Sequence, residues 1–178
     1  MFCQQDRIAP LVLISACLIG HSLRYKGDHK LQPLLAQMSP TVLRWLPVCP
    51  EVAAGFGVPR PPMRLRRHQG QTCLVRCHDS AELTEKLRIA CRALVHEARK
   101  NRICGAVLKS RSPSCAPGNA PFFDASGNKS GQYGFGIFAE MLHAAKPGLP
   151  LIDEEGMADP DRQAFFLQSL IRSATQLA

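Results

Sequence analysis

The sequence predicts an α/β domain: a three-layer sandwich built on a mostly parallel sheet. Two patterns carry that expectation. Short apolar runs alternate along the chain with segments whose apolar residues recur at helical spacing, the order that yields a parallel sheet covered by helices. The first run is apolar throughout instead of alternating with polar residues, as a strand covered on both faces tends to be. A third pattern concerns chemistry. Three of these runs, Leu11–Ile14, Val42–Val48 and Ile103–Leu108, are each followed within a few residues by a cysteine: Cys17, Cys49 and Cys115. In an open parallel sheet, the residues after the C-terminal ends of the strands meet in one crevice, so these cysteines are expected to converge.

The elements follow in order. Residues 10–16 read as a buried first strand, and the loop from Gly20 to Lys30 turns at Gly27 and Asp28. A short helix is expected near Leu31–Met38, with Pro33 in its first turn. Residues 42–48 make the second strand, stopped by Pro50, and a Gly/Pro-rich loop runs from Gly55 to Pro62. Met63–Leu65 and Thr72–Val75 flank a polar stretch and predict a hairpin. The clearest helix is 80–101, where Asp79 and Glu82 resemble a capping box and Leu83, Leu87, Ala90, Cys91, Leu94, Val95 and Ala98 recur at helical spacing. Residues 103–108 are the next strand. Residues 109–131 read as one long polar connection, which at that length is more often functional than a plain linker. A helix is expected from about Tyr133 to Ala144, a last short strand over Leu149–Ile152, and a C-terminal helix to about Thr175, capped by Asp159 with Pro160 in its first turn. All 178 residues are read as one domain, with residues 1–9 as a flexible start.

Composition narrows the classes. Hydrophobic residues make up 46% of the chain and charged residues 20%, ordinary for a globular protein and far from a disordered one. No apolar run approaches the roughly 20 residues needed to span a bilayer, and the N-terminus lacks the charged-then-apolar order of a signal peptide. A cytoplasmic location is expected. The eight cysteines are spread over too long a chain to read as the framework of a small secreted domain. Cys91 and Cys104 read as small buried hydrophobes, Cys3 as a terminal bystander, and the Cys73–Cys77 spacing is a weak zinc signal. The net charge of +8 is dispersed, with one Trp and two Tyr to interleave; a small anionic ligand is expected over a nucleic-acid duplex.

The densest functional stretch is Lys109-Ser-Arg-Ser-Pro-Ser-Cys115, which places charges and hydroxyls directly after a strand. Such a loop suits an anion, although it lacks the P-loop order. Cys49-Pro-Glu51 puts a carboxylate two residues from a thiol at another strand end; beside a metal centre, Glu51 is a candidate general base, and elsewhere it would be a surface or capping carboxylate. Three thiolates leave a tetrahedral zinc one ligand short and a 4Fe–4S cluster one thiolate short, so the expected site is open to substrate.

Four motifs occur in fixed order: Ser15-Ala-Cys-Leu-Ile-Gly20 with Arg24-Tyr25-x-Gly27-x-x-Lys30, then Cys49-Pro-Glu-Val52 leading to Pro59-Arg60, then Lys109-x-Arg-Ser-Pro-Ser-Cys115. Together they resemble the thiouracil desulfurase family over roughly residues 10–155. The resemblance implies a Rossmann-like α/β domain and a 4Fe–4S cluster held by Cys17, Cys49 and Cys115 with one open iron. It also implies catalytic roles for Glu51 and Ser112. Substrate or anion binding is expected of Ser15, Arg24, Tyr25, Lys30, Arg60, Lys109, Arg111 and Ser114, the basic residues among them being suited to a phosphate. The implied reaction converts a thiolated pyrimidine (2- or 4-thiouracil or a thiouridine monophosphate) to its oxo form, releasing sulfide without net redox change. The expected partner is that small molecule, with no membrane and no nucleic-acid duplex; a homodimer is compatible with the sequence. Two departures stand out. Ser22 replaces a further cysteine that many relatives carry, and the 178 residues are expected to lack the extra C-terminal domain of longer members. A zinc hydrolase using the same three cysteines, or a non-catalytic iron–sulfur sensing module, are the other classes the residues allow.

Overall fold

The computed structural model describes residues 9–175; the expected flexible start, apart from Ala9, and Cys3 lie outside them. A four-stranded parallel sheet contains β1 (Leu11–Ser15), β2 (Arg44–Val48), β5 (Gly105–Leu108) and β8 (Leu151–Asp153), in the order β2-β1-β5-β8. Pro47 lies in β2, opposite Ile14. A proline donates no ladder hydrogen bond, so its strand belongs at an edge, and β2 is one.

Side chains alternate across this sheet and build two cores. Leu13, Ala106 and Leu108 point to one face, against Leu87, Cys91, Val95 and Ala98 of α3 (Thr84–Lys100) and Ile137, Phe138, Ala139 and Leu142 of α4 (Ile137–Ala145). Val12, Ile14, Val107 and Ile152 point to the other, against Leu35 of α1 (Pro33–Ala36), Met157 of α5 (Glu154–Ala158), and Phe166 and Leu170 of α6 (Pro160–Thr175). Helices on both faces of a parallel sheet make the three expected layers. Gly105 lets α6 approach closely: a Cβ there would sit 2.3 Å from Leu170 Cδ2 and 3.1 Å from the Pro150 carbonyl oxygen.

A second sheet extends the α3/α4 layer. It is formed by β3 (Met63–His68), β4 (Gln71–Arg76), β6 (Pro117–Phe123) and β7 (Lys129–Phe135), ordered β4-β3-β6-β7, with β3 and β6 parallel and the outer pairs antiparallel. The β3–β4 hairpin matches expectation. The other half does not: the supposed long polar connection holds β6 and the start of β7. Proline in β6 and glycine in both strands disguise them, and the pairings Leu65 with Phe122 and Pro121 with Tyr133 impose the extended form. For the same reason the helix expected from Tyr133 starts at Ile137.

Helix α3 begins at Thr84, later than expected, because residues 81–83 fold back on β4. The Leu83 amide donates to the Leu74 carbonyl and the Arg76 amide to that of Ala81. Asp79 accepts from the Ala81 amide and shapes that turn instead of capping the helix. At α6 the expected cap holds: Asp159 Oδ1 accepts from the amides of Asp161 and Arg162. Among the described residues, no helix is long and apolar enough to cross a membrane.

Candidate active site

Chain order reverses between β1 and β5 in the parallel sheet, and in open α/β sheets ligands bind at that point, beyond the carboxyl ends of the strands. The structure has a crevice of about 480 Å³ there. Each wall comes from the segment after one strand. Past β1, a single 3-10 turn (Ala16–Ile19) carries Cys17 and is closed by Gly20 at φ 98°. Past β2, Cys49 caps α2 (Pro50–Ala53), whose first position is Pro50. Past β5, the segment Lys109–Ala116 turns sharply at Arg111, φ 57°, and brings in Cys115.

Cys17, Cys49 and Cys115 all line the crevice and are unbridged. Burial pushes the Cys17 thiol up to about 11, with the neighbouring Cys49 adding to the shift, against the pull of Lys109 and Arg24. Burial also raises Cys49, while the amides of Val52 and Glu51 favour its thiolate. Burial drives Cys115 well above the usual thiol value; the Ser15 hydroxyl opposes this, and Cys49 and Cys17 reinforce it. The three sulfurs are thus near enough to penalise one another's ionisation, a penalty that a shared cation or cluster removes. Yet among the described residues no three His, Cys, Asp or Glu side chains are disposed to hold one metal ion. A single zinc needs its thiolates about 2.3 Å from one point, whereas in an iron–sulfur cluster each protein thiolate can take a different iron. The donor set fits the cluster better.

Glu51 sits in the first turn of α2 and is buried, neither a surface nor a capping carboxylate. Its Oε1 accepts from the Ser114 hydroxyl at 2.8 Å, and its Oε2 accepts from Arg60 Nε at 2.7 Å. Arg60 is itself buried and also donates to the Gly57 carbonyl. Arg60 Nη2 also lies 2.7 Å from Oε2, so Oε1 is the carboxylate oxygen that keeps a lone pair beyond these bonds. Ser112 Oγ accepts from the amides of Cys115 (3.1 Å) and Ser114 (3.3 Å), so it shapes the cysteine turn while its own O–H remains available to the crevice it lines.

The remaining expected ligand-binding residues divide by geometry. Ser15, Arg24, Tyr25, Lys30, Arg60, Lys109 and Arg111 line the crevice. Ser114 does not: it is completely buried and serves Glu51. Ser15 is almost wholly buried, and its oxygen accepts the Lys109 amide at 2.9 Å. Four of the five basic residues already have carboxylate partners: Arg24 with Asp28, Arg60 with Glu51, Lys109 with Glu154 and Arg111 with Glu155. Lys30 has none among the described residues. Sequence reasoning missed Glu154 and Glu155. Their signal was the acidic run Asp153-Glu154-Glu155 directly after the last apolar run, another strand end facing the same side of the sheet.

Glu154 gives the site a pH signature. Burial alone would raise its carboxyl, but Lys109 and the amide and hydroxyl of Ser110 outweigh that and hold it below the usual 4.5. A carboxyl lowered on folding contributes stability that is fully present above its unfolded value and lost as pH falls through the folded one. Thermal stability should therefore fall as pH drops below about 4.5, and Glu154→Gln should flatten part of that slope; melting curves of both proteins across pH 3–6 (roughly the carboxylate range) check this.

The Cys115 turn is clamped by α4. The amides of Ile137 and Phe138 donate to the carbonyls of Pro113 and Ser114, and Gly136 donates to that of Ala116. Gly136 is essential to this fit: a Cβ there would lie 2.5 Å from the Ser114 carbonyl carbon and 2.6 Å from its oxygen. Neither neighbour is a side chain that can swing away. Gly136→Ala is expected to cost about 1–3 kcal/mol as overpacking and to displace the Cys115 turn, read as a lower Tm.

A parallel sheet with a cysteine-lined crevice at its switch point defines an α/β protein whose candidate site presents three thiols. The family model for 2-thiouracil desulfurase matches residues 12–154, and the chain belongs to that family. It is 28% identical over 160 residues to the uncharacterized protein YbbK of Bacillus subtilis (strain 168), covering 84% of this chain and 99% of that one. Its fold is similar to that of a solved [4Fe-4S]-dependent thiouracil desulfidase, TudS, with a TM-score of 0.69 and 25% identity over 88% of this chain and 98% of the other.

Proposed function

We propose that this protein is a 4Fe–4S-dependent desulfurase that replaces the sulfur of a thiolated pyrimidine with oxygen from water. The observation that carries the reading is the convergence of Cys17, Cys49 and Cys115 with Glu51 on one crevice. The family match and the TudS likeness support it. Cys17, Cys49 and Cys115 would hold the cluster. When bound, a cluster with one iron free of protein thiolate supplies a Lewis acid for the thiocarbonyl sulfur.

The chain's own residues do the rest. Glu51 accepts a proton from the water that attacks the ring carbon, and Arg60 and Ser114 hold the carboxylate in place by one hydrogen-bonded oxygen each. Ser112 donates its O–H toward the water or the ring. The thiocarbonyl and one water give the carbonyl and hydrogen sulfide, so no electrons are exchanged. Because Arg24, Arg60, Lys109 and Arg111 are each ion-paired, Lys30 is the cation freest to meet a phosphate. A thiouridine monophosphate contact therefore rests chiefly on Lys30.

Anaerobic reconstitution followed by a sulfide-release screen over thiouracils, thiouridines and their monophosphates tests the reading. Expected are bound iron and sulfide, and sulfide release matched one for one by oxo product without an added reductant. Iron uptake with no turnover of any thiolated pyrimidine would favour a sensing module instead. Equal turnover of base and nucleotide would count against a phosphate contact.

A further inference from the structure

The carboxylate of Glu154 reaches from the end of β8 into the segment that follows β5, and nothing in the reaction above employs it. It is buried. Its Oε2 accepts from the Ser110 amide at 2.8 Å, and its Oε1 accepts from the Ser110 hydroxyl at 2.7 Å and from the Lys109 ammonium. The ammonium also donates to the Ser110 carbonyl (3.1 Å) and hydroxyl (2.9 Å). Its three hydrogens are therefore committed, and Lys109 is poorly placed to donate a proton or grip a substrate anion. What remains is its charge, at the crevice that Cys17 also lines. The next backbone link ties the segment to the end of β1, since the Lys109 amide donates to Ser15 Oγ, and Ser15 and Cys115 line the same crevice.

We infer that Glu154 is a positioning residue: by clamping Lys109 and Ser110, it fixes the segment that leads into Cys115 and keeps the Lys109 charge in place at the crevice, so that this cysteine is set for the cluster. The inference rests on the cluster reading above. Outer partners of metal ligands of this kind typically change metal retention or activity by about 10–100-fold when removed.

The test uses the full chain, reconstituted anaerobically, with the parent, Glu154→Gln, Lys109→Met and the double variant. Each is read by the rate of iron loss to a chelator, by the cluster's reduction potential and by kcat against KM. Glu154→Gln keeps an acceptor for the Ser110 amide but loses the charge. It is expected to shed iron about 10–100-fold faster, with its potential displaced and kcat falling more than KM changes. Lys109→Met should do likewise, and the double variant should be little worse than either single one, because the two residues act as a unit. Iron loss and potential within twofold of the parent in Glu154→Gln would overturn the inference while leaving the desulfurase reading intact. A silent Lys109→Met would likewise remove Lys109 from the clamp. A parent that takes up no iron would sink both. If Glu154→Gln fails to fold, Glu154→Asp, which keeps the charge on a shorter arm, should show an intermediate rate of iron loss; a parent-like rate overturns the clamp.

Discussion

Replacing Glu51 by Gln is expected to lower kcat by roughly 10²–10⁴-fold, the range ascribed to a positioned general base, with KM little changed. The amide keeps the shape of the side chain and an oxygen to accept from Ser114 or Arg60, but it cannot take a proton from water. Removing one partner of a buried ion pair outright typically costs about 3–5 kcal/mol. The buried Arg60 would still find a polar neighbour in the Gln variant and the Gly57 carbonyl, so the loss of stability should be smaller. The cluster's charge-transfer absorbance should match the parent's. Steady-state kinetics beside an absorption spectrum separate the outcomes. A variant that keeps kcat within tenfold of the parent is incompatible with Glu51 as the base.

The second large effect is expected at the cysteines, and it should be selective. Cys17→Ser, Cys49→Ser and Cys115→Ser should each lose the cluster and bring sulfide release to background, because with two thiolates the centre has no adequate anchor. Cys73→Ser and Cys77→Ser, in and just beyond β4 and away from the crevice, should keep both cluster and activity. Cys91→Ser should keep the cluster but melt lower, since it puts a hydroxyl into a fully buried site on α3, at a cost of about 1–3 kcal/mol if unpaired. Iron content, absorbance and Tm across this series distinguish ligand from core. Equal iron retention in Cys115→Ser and the parent would remove Cys115 from the ligand set.

These expectations differ in how far they were readable without coordinates. The convergence of Cys17, Cys49 and Cys115 was legible because strand ends in a parallel sheet share one side, and each apolar run announced its own end. The C-terminal helix was legible from Asp159 and Pro160, whose effects are local. Asp79 misled for the complementary reason: its capping pattern is local, but pairing of residues 81–83 with β4 is not, and the pairing won. β6 and β7 escaped because a strand rich in proline, glycine and polar residues has no intrinsic preference to display.

The site shows the same division at finer scale. By itself, the sequence determined the α/β class, the strands of the parallel sheet, the core face of α3 and the positions where thiols, a carboxylate and hydroxyls would follow strand ends. These are matters of periodicity and of chemistry carried residue by residue. Only the tertiary structure decided which partner each group meets. Ser114 was placed under Glu51, Arg60 on its far oxygen, and Lys109 on Glu154, 45 residues away. It also paired Arg60, Lys109 and Arg111 with Glu51, Glu154 and Glu155, which no spacing rule connects. The physical reason is that a buried charge must be paired, and the pairing is set by which loops the sheet order brings side by side.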